Sequence, residues 1–187
     1  MEHEGTVVDE LTLDHREVAA VFEEIQTLPS GAARRRELAD AFTVALVRHA
    51  VAEELYLYPA VREHIPGGRE LVAAELEDHA AAERLLKDLE RADVEGQAFD
   101  ATVATLIAEV RTHVKEEEEV LFPALVGACS PRRLQELGDR LRATRGGAPT
   151  RPRPEAPPAG PSADAVPAPG AGLVDRTRDL VTGRGRV

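Results

Sequence analysis

The sequence predicts an all-α fold: an antiparallel up-down-up-down four-helix bundle, followed by a short extra C-terminal helix and a disordered tail. Three observations carry this. Apolar residues recur at steps of three and four along every long segment, none of which shows strand-like alternation. Aromatics make up only 3% of the chain and tryptophan is absent, so the core is built from Leu, Val, Ala and Ile, a composition suited to helix packing. Finally, a set of residues repeats at an offset of 64: Asp14-His15 recurs as Asp78-His79, and His49, Glu53, Glu54, Tyr58 and Pro59 recur as His113, Glu117, Glu118, Phe122 and Pro123. Such a repeat marks two related helical hairpins, in which equivalent positions face a common axis.

The first helix runs from about Thr6 to Leu28, with Val8, Leu11, His15, Val18, Phe22 and Ile25 forming its inward stripe. Pro29-Ser30-Gly31 ends it. The second starts near Ala32, carries Leu38, Phe42, Ala45, His49, Glu53, Tyr56 and Ala60 on one face, and stops at Ile65-Pro66-Gly67-Gly68. Pro59 lies inside it and removes a backbone hydrogen bond, so a kink or local break is expected there. The third helix spans about Arg69 to Ala92 with Val72, Leu76, His79, Glu83 and Leu86 inward, and the fourth about Phe99 to Gly127 with Val103, Leu106, Val110, His113, Glu117, Val120 and Ala124. Ser130-Pro131 reads as an N-cap followed by proline at the first helical position, opening a short helix to Ala143 that packs on the outside of the bundle. Residues 1–143 therefore form the domain. Residues 144–187 form a Pro/Ala/Gly/Arg-rich tail, expected to be disordered because it has too little apolar surface to offset its ordering entropy. The last stretch, Leu173 to Val181, has the pattern of two helical turns.

Charge is divided unevenly. The net value is −11, and the first 143 residues hold 16 basic against 30 acidic side chains. An acidic body argues against binding nucleic acid through the bundle, since phosphate contacts need a basic patch. The N-terminus lacks an apolar signal core and no run approaches the length of a membrane span, so a cytoplasmic protein away from membranes is the expectation. Cys129 is the sole cysteine, which excludes an internal disulfide.

The chemistry lies on the inward stripes. Residues four apart share a helix face, so His49 with Glu53, His79 with Glu83, and His113 with Glu117 each present an imidazole beside a carboxylate, and His15 adds a fourth imidazole. Left unpaired in a core, each such group would cost several kcal/mol, and no lysine or arginine shares those stripes. A cation resolves the conflict. Mixed imidazole and carboxylate donors suit iron or manganese, with zinc as a substitute, and seven donors exceed what one tetrahedral ion needs. The expectation is a dinuclear centre, two iron ions with an oxo or hydroxo bridge, held by His15, His49, Glu53, His79, Glu83, His113 and Glu117. Glu54 and Glu118 point about 100° away from their neighbouring ligands and are read as outer or surface groups. Asp14 and Asp78 are read as capping or surface residues, and Tyr56 and Tyr58 as core residues able to line the pocket.

These motifs together, Leu13-Asp14-His15, His49-x-x-x-Glu53-Glu54 ending in Leu57-Tyr58-Pro59, Asp78-His79, and His113-x-x-x-Glu117-Glu118 ending in Leu121-Phe122-Pro123, resemble the hemerythrin-like family of cation-binding bundles over about Thr6 to Val126. The resemblance implies that Glu53 and Glu117 bridge two irons, with His15 and His49 on one and His79 and His113 on the other. Oxygen-carrying members place a histidine where this chain has Glu83, a departure that favours redox chemistry over reversible carriage. The implied partner is a small oxidant, O2 or H2O2, met with catalase-like or ferroxidase-like activity. A sensing module read by a protein partner, and oxygen storage, are the alternatives.

Overall fold

Thr6 begins the first helix by a reciprocal cap. Its hydroxyl accepts from the Asp9 N–H at 3.3 Å while Asp9 Oδ2 accepts from the Thr6 N–H at 2.8 Å, satisfying donors that a helix start leaves open. In the computed structural model, which describes residues 5–144 and 149–154, α1 then runs over Val7–Thr27. It is followed by α2 (Ala33–Ala52), α3 (Tyr58–His64), α4 (Gly68–Arg91), α5 (Gln97–Glu116), α6 (Phe122–Ala128) and α7 (Pro131–Thr144). No strand occurs among the described residues. α1 packs on α2 and α4 on α5, and α2 with α3, like α5 with α6, forms one long rod, so the expected four-rod bundle is the fold observed.

Each composite rod is interrupted at the same repeat position. Glu53–Leu57 and Glu117–Leu121 are single π-helical turns, in which the Tyr58 N–H donates to the Glu53 carbonyl and the Phe122 N–H to the Glu117 carbonyl, five residues back. Pro59 and Pro123 follow at once, at the start of α3 and α6, where a missing N–H costs least. The break predicted at Pro59 is thus a wide turn before the proline. A wide turn carries the residue five positions on over the one where it began. Tyr58 therefore lies inward, 1% exposed, while Tyr56, placed inward by a regular helical count, is only half-buried.

The apolar side chains gather in two clusters. One joins Val7, Leu11, Leu57, Tyr58, Val61, Leu121 and Leu125 to Leu134, Leu137 and Leu141 of α7. The other holds Val18, Phe22, Phe42, Leu86, Phe99, Leu106 and Val110. α7 packs on α1, and Gly138 permits the approach: a Cβ there would stand 2.5 Å from the Gly5 carbonyl oxygen and 2.8 Å from the Thr6 carbonyl carbon. Arg142 fastens the contact, donating to the Gly5 carbonyl at 2.9 Å and to Glu10 Oε1 at 2.6 Å.

One stretch of the tail departs from expectation. Pro149, Thr150 and Pro152 are buried, Arg151 stands 3.6 Å from Glu90 of α4, and the Arg153 N–H donates to the Glu83 carboxylate. Prolines have little backbone freedom left to lose, which lowers the cost of laying such a segment on a helix. The remaining tail, including the expected terminal helix at 173–181, lies outside the described residues.

Candidate metal centre

His15, on the inward face of α1, falls between Leu11 of one apolar cluster and Val18 of the other, and His49, His79 and His113 occupy the same level on α2, α4 and α5. A polar layer therefore separates the two cores. The His15 and His49 ring centroids are 4.8 Å apart and those of His79 and His113 5.1 Å. His15 Nε2 and His49 Nε2 approach to 3.2 Å.

Glu53 and Glu117 sit between the rings, both fully buried. Glu53 Oε1 lies 3.1 Å from His49 Nε2 and Oε2 lies 3.2 Å from His79 Nε2. By the repeat, Glu117 Oε2 lies 3.2 Å from His15 Nε2 and 3.6 Å from His113 Nε2. These distances are short, yet all four carboxylate oxygens and both His113 nitrogens lack a properly directed hydrogen bond. Buried donor atoms crowded together without well-formed hydrogen bonds are an arrangement that cation ligands adopt and that a hydrogen-bonded core avoids. The donor atoms of His15, His49, Glu53 and Glu117 lie within 4.8 Å of one another, as do those of Glu53, His79 and His113, and of Glu75, His113 and Glu117. Buried imidazole with carboxylate is a set that fits iron, manganese or zinc.

Each imidazole is also held from behind. His15 Nδ1 lies 2.9 Å from Glu118 Oε1, and at the equivalent repeat position His79 Nδ1 lies 3.3 Å from Glu54 Oε1. Carboxylates on the far ring nitrogen fix tautomer and orientation, and this is where the two glutamates expected off the stripe do their work. The other pair breaks the repeat: Asp14 Oδ2 faces His49 Nδ1 at 3.6 Å, whereas Glu75, not Asp78, faces His113 Nδ1 at 3.0 Å. Asp14 is thus turned toward a site histidine and is no surface cap. Glu75 is a buried site residue that the sequence reading missed; its repeat mate is Leu11, but its position four residues before His79 on the same stripe was a usable signal.

Six of the seven expected ligands are brought together in these groups. Glu83 is not; it stands one turn beyond His79 in the wall of an adjoining cavity, with its carboxylate on the Arg153 N–H.

With protons as the only cations, the electrostatics are conflicted. Burial pushes His49 and His79 toward neutrality, but the surrounding carboxylates, Glu53 foremost, outweigh it: His49 is held well above 6.5 and His79 at about 10. His113 is raised in the same way by Glu75 and Glu117. Glu53 is held well below its usual value by His49 and His79 despite burial. Glu117, penalised by burial and by the charge on Glu53, rises to about 7. Tyr58 is driven well above 10 by burial and then by Glu53 and Glu117, so it stays a neutral phenol; it shares a hydrogen bond of 3.0 Å with His79 Nε2. Its repeat mate Phe122 stacks on His15, ring centroids 5.7 Å apart and planes within 4°.

A four-rod bundle with buried His and Glu donors at one level defines a helical cation-binding domain. The chain belongs to the hemerythrin family: residues 6–125 match the hemerythrin HHE cation binding domain. A hemerythrin-like protein of Schizosaccharomyces pombe is 23% identical over 176 residues, covering 94% of this chain and 86% of that protein. A protein of Nostoc named DNA nickase is 27% identical over 141 residues, which are 74% of this chain but 39% of that protein. Among solved structures, a hemerythrin HHE cation binding domain-containing protein of Mycobacterium kansasii superposes with a TM-score of 0.67 at 21% identity, covering 75% of this chain and 85% of that one, a likeness of fold. No described helix is long and apolar enough to cross a membrane.

Proposed function

We propose that the domain holds two iron ions and reacts with a small oxidant, peroxide or oxygen. The observation that supports this best is the pair of fully buried glutamates between four imidazoles, with all four carboxylate oxygens lacking hydrogen bonds. Glu53 stands beside His49 and His79 and Glu117 beside His15 and His113, so that each carboxylate would supply donors to both of two ions. Such a pair of ions would supply one electron each to a bound oxidant. The protein's own part is to orient and to shield. Glu118, Glu54, Glu75 and Asp14 fix the imidazoles, the apolar clusters enclose the layer from above and below along the bundle axis, and the Tyr58 hydroxyl offers a proton on the His79 side only. Glu83 would join as a seventh ligand only by leaving the Arg153 N–H. DNA strand cleavage is a poor fit to the acidic bundle.

Metal content per chain, a visible spectrum, and oxygen evolution on adding H2O2 test the reading. Two irons, an oxo-bridge band and peroxide consumption are expected, and iron-loaded protein that behaves like metal-free protein would refute it. A second reading, metal sensing, draws on the polar layer between two separate apolar clusters, since occupancy would then govern how the halves cohere. It predicts that chelation lowers the melting temperature, and identical melting with and without chelator excludes it.

A further inference from the structure

A cavity of about 370 Å³ opens on the imidazole side of the centre, touching all four histidines and neither Glu53 nor Glu117. Peroxide or oxygen needs little of it: a water molecule's share of liquid volume is about 30 Å³, so the space corresponds to roughly a dozen waters. It falls instead in the range of sites for organic molecules. Its walls are mostly apolar, and the apolar residues follow the repeat. Val18 lies three residues after His15 and Ala82 three after His79; Leu46 lies three before His49 and Val110 three before His113. These four form a tier one turn beyond the imidazoles, and Leu86 extends the wall a further turn, so the cavity reaches about 10 Å along the axis at 1.5 Å per residue.

Charge narrows the ligand. Asp14, Asp78, Glu83 and Glu109 line the cavity and, among the described residues, no lysine or arginine does, so the walls repel a carboxylate or phosphate head. Ions held by the histidines would repel a cationic head and attract an anionic one, so the acidic walls and the ions oppose each other for any charged head and neither acts against a neutral one. What remains is a neutral molecule with an oxygen-bearing head and an alkyl body of about eight carbons, matched to that 10 Å reach.

We infer that the domain's oxidant is a neutral alkyl hydroperoxide, its O–O head against the imidazole layer and its chain along Val18, Leu46, Ala82, Val110 and Leu86. This rests on the proposed peroxide chemistry and names its substrate class. In the reaction, ROOH gains two electrons and two protons, the O–O bond breaks, and ROH and water form; a ferrous pair held by the site would supply the electrons, one from each ion.

The test is calorimetric titration of the iron-loaded full chain with 1-octanol, the unreactive product of octyl hydroperoxide, beside octanoate. Saturable 1-octanol binding at least tenfold tighter than octanoate is expected, lost tenfold or more in Ala82→Phe at unchanged iron content. Ala50→Leu, a smaller filling of the same cavity from α2, replaces that variant if it does not fold. Absence of saturable octanol binding in protein that holds iron and consumes H2O2 overturns the inference and leaves the proposed function standing. Equal binding of octanoate, or full binding by the filled variant, overturns it too. Protein that takes up no iron refutes the proposed function instead, and octanol binding is then read separately.

Discussion

The hydrogen bond between Tyr58 and His79 Nε2 competes with any cation for the same nitrogen, and its removal has an opposite effect on folding and on metal binding. Tyr58→Phe is isosteric, and Phe122 at the equivalent position shows that a phenyl ring is accommodated against a site histidine. In chelated protein the variant loses a buried bond of 3.0 Å, while His79 Nε2 keeps Glu53 Oε2 at 3.2 Å. A typical hydrogen bond contributes about 0.5–1.5 kcal/mol net, so denaturant unfolding should show about 1 kcal/mol lost. In loaded protein the nitrogen lone pair belongs to the ion, and the bond is already broken in the parent. The variant therefore no longer sacrifices about 1 kcal/mol on loading, and its apparent metal affinity rises about fivefold, since 1.4 kcal/mol is tenfold. Competition against a chromophoric chelator measures this directly. Unchanged affinity would mean that His79 does not ligate through Nε2. A decrease would mean that the hydroxyl is worth more in the loaded protein than in the chelated one.

Four further predictions concern the protons at the site, the α7 contact and two glutamates. His49, His79 and His113 hold protons above the usual histidine range, His79 up to about pH 10, so a cation must displace them. Loading at pH 7 should acidify a weakly buffered solution, and affinity should climb with pH between about 6.5 and 10; pH-independent affinity contradicts the ligand assignment. In chelated protein the same raised values stabilise the fold fully below pH 6.5, and that share disappears as pH rises through the folded values, which urea midpoints across the range would report. Gly138→Ala drives a methyl group into the Gly5–Thr6 backbone and should cost about 1–3 kcal/mol by thermal melting, with metal content unchanged once folded. Glu75→Gln should weaken metal binding about tenfold or more because His113 loses its orienting charge, whereas Glu83→Gln should leave metal content intact; metal analysis of the two variants separates their roles.

The helices and six site residues could be read from the sequence because both depend on one regularity, the helical period, repeated twice with the same polar interruptions. Glu75 was hidden because the repeat itself was the filter, and Leu11 is its mate. Asp14 was misjudged because a residue one step from a ligand was treated as leaving the core, whereas in a bundle that direction meets the next helix, here at His49. Tyr58 is legible as a core residue, but its place beside His79 is not: a period of 3.6 fails across a π turn, and proline announces a break without saying that the turn before it widens. Glu83 satisfied the pattern, but its contact with Arg153 comes from a tail whose composition suggested no docking at all.

The division of the apolar interior into two clusters, with the histidines and glutamates between them, bears on how the molecule loses its shape. The N-terminal part of α1 and all of α7 belong to one block; the first hairpin turn and the α4–α5 connection belong to the other. Between them Glu117 resists ionising beside Glu53, and without an ion the seam is held by protons on the histidines alone. If an ion bridges the seam, its removal should broaden or split the thermal transition as the two blocks lose their coupling.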